Sequence, residues 1–102
     1  MKMELNRFTE IVKNQCDTLV RVLERHAAET TEKDEMKSYR MMSCGELNGI
    51  IETAVCVYAT EIGGDDVKYW EKISEIRLYE SETESKLTEI YTKWYRKYLE
   101  NN

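Results

Sequence analysis

The sequence predicts an all-α fold: an antiparallel bundle of three long helices with a short helix near residues 33–42. Three observations predict it. The chain has no proline, and its four glycines fall in two places, Gly45 and Gly49, then Gly63 and Gly64, so the usual helix breakers and caps are confined. Apolar residues recur at steps of three and four over most of the length. The apolar, β-branched segment 44–62 has no second strand-like run to pair with, and a lone strand leaves its backbone polar groups unsatisfied.

The first helix is expected over "LNRFTEIVKNQCDTLVRVLERHAA", where Leu5, Phe8, Val12, Cys16, Leu19, Leu23 and Ala27 form one stripe, widened by Ile11, Val20 and Val22, opposite Arg7, Lys13, Asp17, Arg21 and Glu24. "ETTEKDE" (29–35) then breaks the pattern, and Thr30 or Thr31 is available to cap the next helix. "KDEMKSYRMM" (33–42) reads as the short helix, presenting Met36, Tyr39 and Met42 to the core. Ser43 and Glu46 have capping-box spacing before an apolar run, the signature of a new helix start. The segment 44–62 is apolar nearly all round, which places it at the bundle centre or against a partner chain. "GGDD" (63–66) supplies a glycine C-cap and an aspartate N-cap. From Val67 a stripe runs through Trp70, Ile73 and Ile76, falters in "YESETES" (79–85), and resumes at Leu87, Ile90, Tyr91, Trp94 and Tyr98. Ser81 and Glu84 offer a break near 81, but the three-and-four phase survives the polar stretch and favours one continuous helix.

At 102 residues the length fits a single domain, and 41% hydrophobic with 34% charged residues suits a soluble helical one. No apolar run approaches the roughly 20 residues that span a bilayer, so no membrane association is expected. The opening "MKMELNRFTEIVKNQ" lacks an unbroken apolar core and a small-residue cleavage site, so no secretory leader is expected. Cys16, Cys44 and Cys56 are odd in number and widely spaced, which fits free thiols in a reducing cytoplasm. His26 is the single histidine, no cofactor motif is present, and no metal site is expected. The net charge of −5 divides into +1 over residues 1–28, −6 over 29–66 and zero over 67–102. Such acidity argues against sequence-independent binding of nucleic acid, which requires phosphate neutralisation.

The candidate protein interface is the C-terminal "YTKWYRKYLENN", where Tyr91, Trp94, Tyr95 and Tyr98 share helical spacing and Arg96 lies among them. Aromatic rings with arginine are the composition of binding surfaces. An alternative ligand site uses Arg40, Ser43, Cys44 and Gly45. A helix start there offers free N–H groups and positive dipole charge to a nucleotide-like anion, and lowers the Cys44 pKa. The structural reading of the same glycines is that Gly45 and Gly49, one turn apart, let another backbone approach closely. Cys56, inside "AVCVYA", is expected to be the protected thiol. Acidic pairs such as Glu29/Glu32 and Glu61/Asp65 give a minor alternative, a carboxylate and magnesium hydrolase. The leading expectation is a small non-enzymatic interaction protein, an adaptor or inhibitor of a larger protein comparable to phage accessory proteins, and a homodimer.

Overall fold

A computed structural model describes residues 4–102, so the part of the leader reading that rests on residues 1–3 lies outside it. Three helices, α1 (Leu5–Glu29), α2 (Lys33–Ile62) and α3 (Val67–Asn101), run up, down and up, and each packs on the other two. The bundle measures 54 × 23 × 17 Å. Its long dimension is that of α3 alone, since 35 residues at 1.5 Å each rise about 52 Å. No helix among the described residues is long and apolar enough to cross a membrane.

The α1 stripe lies where its periodicity puts it: Val12, Cys16, Leu19 and Leu23 are buried. Cys16 meets Thr83 from α3, whose hydroxyl is satisfied by the Tyr79 carbonyl at 2.8 Å, so the core tolerates the polar atom. Burial pushes the Cys16 thiol up from its ordinary value. Tyr58 of α2 is fully buried and its hydroxyl bonds Thr9, while His26 stacks on Tyr39 with ring centroids 3.7 Å apart. Those two contacts fix the register of α1 against α2. Lys13 and Glu75, 3.1 Å apart, tie α1 to α3, and Arg77 lies 3.9 Å from Glu52 and 3.0 Å from Glu80.

Where the helices start and stop differs from expectation. The short helix at 33–42 is the first third of α2, which continues through Ser43 to Ile62. The reason is phase: Met36, Ser43, Leu47, Ile51 and Ala54 fall on one face and are buried together, and a break at 43 would misalign them. Ser43 is thus a buried mid-helix residue rather than a cap, and Met42 points outward, 60% exposed. Neither Thr30 nor Thr31 caps α2, whose N-cap is Glu32 with no side-chain bond, whereas Thr30 closes α1 by donating its N–H to the His26 carbonyl at 2.8 Å. The second connection agrees with its motif. Gly63 takes φ +99°, a region favouring glycine, and the Asp66 carboxylate accepts from the Lys68 N–H at 2.8 Å. α3 runs unbroken past Ser81.

Segment 44–62 does not sit at the bundle centre, because three mutually contacting helices have no central member. Leu47, Ile51, Ala54 and Tyr58 face inward, while Cys56 and Ala59 are exposed. The outer part of this segment is polar or short: Glu46, Asn48, Glu52 and Thr60 share it with Gly49, Cys56 and Ala59.

Candidate functional site

The C-terminal aromatic residues come together as a ladder. Tyr91 lies 6.1 Å from Tyr95 and Trp94 lies 5.3 Å from Tyr98, both pairs stacked, and Tyr95 stacks on Tyr98 at 6.1 Å. Much of this ladder holds the bundle end closed. Trp94 is 8% exposed and its indole N–H donates to the Thr30 carbonyl at 2.8 Å, in the α1–α2 connection. The Arg40 guanidinium carbon stands 4.9 Å from the Tyr91 ring centroid, and the Lys33 ammonium stands 5.8 Å from that of Tyr95. The three tyrosines are half-buried against the core; Arg96, Lys97 and Leu99 are what this end shows to solvent. The tyrosines proposed for an interface are half-absorbed into the bundle because this end of α3 meets the α1–α2 connection at Thr30 and the start of α2 at Lys33 and Arg40.

The alternative anion site loses its geometry. Ser43, Cys44 and Gly45 lie in the middle of α2, where their N–H groups belong to the helix ladder and no dipole terminus exists. Arg40 is directed to Tyr91, and Cys44 is exposed with no helix start beside it. The close-packing reading fails as well: a Cβ added at Gly45 or Gly49 would meet nothing within 4 Å. Cys56 is exposed like Cys44, and the protected thiol is Cys16. Among the described residues, no three His, Cys, Asp or Glu side chains gather as a metal-binding group.

Comparison with protein-family models, curated proteins and solved structures finds no match. The candidate site therefore rests on the surface of the bundle itself.

Apart from the exposed Met41 and Met42 of α2 and Leu99 of α3, two apolar features mark that surface. The first is the outer face of α3. Val67, Trp70 and Leu78 are 70%, 58% and 61% exposed, and with Ser74 their spacing of three, four and four places them on one stripe. Ser81 and Ser85 continue it with short side chains. Single exposed apolar residues need no explanation, but a stripe containing a tryptophan does. The second is an open groove of about 830 Å³ between α1 and α2, walled by Phe8, Ile11, Thr18, Glu46, Gly49 and Ile50.

Sequence reasoning missed the α3 face because it assigned Trp70 to the core stripe with Ile73 and Ile76. The signal was present: 67, 70, 74 and 78 form a second three-and-four series beside the first. Only packing decides which of two adjacent series is covered, and the bundle covers Ile76 fully and Ile73 in part.

Proposed function

We propose that this chain is a small, non-enzymatic interaction protein of the cytoplasm, an adaptor or inhibitor that docks on a larger protein through the outer face of α3. The observation that carries the reading is Trp70, more than half exposed on a helix whose other tryptophan is buried and hydrogen-bonded. Tryptophan is the residue most enriched at binding hot spots, where one ring contributes a large apolar area at little entropic cost. Val67 and Leu78 flank it on the same stripe, and the serines between and beyond give a low relief that a partner's groove or helix can approach. Arg77, held by Glu52 and Glu80 beside this stripe, adds a fixed charge at its edge. Accessory proteins of phages and other mobile elements, which block host machinery by such docking, are the nearest functional analogy.

The test is a photo-reactive amino acid placed at position 70 in cells. The expected result is one discrete covalent adduct with another protein, lost when Leu78→Ala weakens the contact. Labelling at position 70 no stronger or more selective than at the exposed Lys86 on the same helix would refute the assignment.

A further inference from the structure

The groove between α1 and α2 has properties that the bundle itself does not use. It is apolar and open: Phe8 and Ile50 are half-buried in its walls, and Ile11 is 40% exposed. Gly49 lies in its α2 wall, where an added Cβ would meet nothing within 4 Å. A glycine inside a helix costs stability relative to alanine, and within the bundle no neighbour fills the space it leaves.

The two rims of the groove carry opposite charge. Arg21 follows Asn14 by two turns and Arg25 follows Thr18 by two turns, so both stand on the edge that those two groove residues define. Arg7 precedes Asn14 by the same step; Glu10, Asp17 and Glu24 follow the neighbouring stripe, on the side of the arginines turned away from Ile11 and Phe8, and Glu4 stands two turns before Ile11 at the groove's far end. The α2 edge carries Glu46 itself. Among the described residues, Arg21, Arg25 and Glu46 have no ion-pair partner, although the register set by Thr9–Tyr58 and His26–Tyr39 brings Arg21 level with the turn that holds Glu46. Within one chain the Arg21 guanidinium instead donates to the hydroxyl of Thr18, a groove residue, at 3.0 Å.

We propose that this face is the interface of a homodimer, with a second copy packed on the groove about a two-fold axis parallel to the helices. Such an axis keeps every residue at its own height and lays α1 of one copy over α2 of the other. Arg21 of each copy then meets Glu46 of the partner subunit, twice per dimer, and Gly49 lets the backbones close over the apolar walls. A two-fold running across the helices would instead set basic edge on basic edge and acidic on acidic, which like-charge repulsion disfavours. The interface is distinct from the α3 face, so failure of one leaves the other standing.

Light scattering at tens of micromolar tests it. The wild-type chain is expected at twice its 12.1 kDa mass. Gly49→Leu fills the groove and is expected to give a monomer whose circular dichroism shows undiminished helix, because the added Cβ meets nothing within 4 Å and the rest of the side chain has the open groove to enter. Arg21→Glu and Glu46→Arg are each expected to weaken the dimer about tenfold or more, and the two together to restore it. A monomeric wild type at that concentration overturns the proposal. So does a dimer that survives Gly49→Leu, a charge swap that restores nothing, or a dimer broken by Trp70→Ala instead.

Discussion

The Thr9–Tyr58 pair makes an asymmetric prediction about the core. Tyr58 is 0% exposed, so its hydroxyl depends on a protein partner. Thr9 Oγ1 donates to the Leu5 carbonyl at 2.9 Å, which spends its one hydrogen; in the Thr9–Tyr58 bond the tyrosine must therefore donate. Tyr58→Phe removes that donor and leaves Thr9 with its own bond to Leu5, so the expected cost is about 1 kcal/mol. Thr9→Val removes the acceptor and strands a buried O–H, which costs roughly 2 kcal/mol and up to about 3. The double variant carries no stranded group and is expected to be more stable than Thr9→Val alone, despite having one more substitution. In a domain of this size about 2 kcal/mol lowers the melting temperature by roughly 8–16 °C. Urea denaturation followed by far-UV circular dichroism measures the three variants, at one fixed protein concentration because association would shift the midpoint. The donor assignment is wrong if Thr9→Val proves no costlier than Tyr58→Phe, or if the double variant is the least stable of the three.

Three further outcomes rest on particular residues. Burial raises the Tyr58 phenol, and the hydrogen bond to Glu75 raises the Lys13 ammonium, above their unfolded values. The unfolded chain then loses these protons first, so stability holds through neutral pH and falls above about pH 10; an alkaline fall no shallower in Tyr58→Phe would discount the tyrosine's part. Brief alkylation should label Cys44 and Cys56 together and spare Cys16, which is 0% exposed with a raised thiol pKa, until the chain unfolds; mass spectrometry showing early Cys16 adducts would contradict the packing. Gly45→Ala should stabilise α2 by about 0.8–1 kcal/mol, since nothing lies within 4 Å of the added methyl; a lowered melting temperature would mean the glycine serves a contact outside the bundle.

Much of this architecture was legible in the residues. The absence of proline, the α1 stripe and the "GGDD" connection determined a helical bundle, its first helix and one of the two connections, because local geometry sets both helix period and turn chemistry. The continuity of α3 was legible too, since Thr83 holds the phase between Ile76 and Leu87 and its hydroxyl can bond back to the Tyr79 carbonyl. Ser43 and Glu46 misled for a physical reason. A capping box is a local preference of about a kilocalorie, and the shared burial of Met36, Leu47 and Ile51 outweighs it.

Which side chains face outward could not be read the same way. An apolar stripe specifies a face, but only the neighbouring helices decide how wide a face they cover. Hence Trp70 is left outside and Trp94 drawn in, although both lie in stripes of the same period. Cys56 is exposed while Cys16 is sealed for the same reason: α1 packs its cysteine against Thr83, whereas the outer side of α2 meets no other helix of the bundle. The sequence by itself determined the all-helical class, α1, the second connection and the continuity of α3, because these follow from local period and turn chemistry. Tertiary packing decided that 33–62 is one helix and which apolar side chains stay exposed, because only neighbouring helices cover a face.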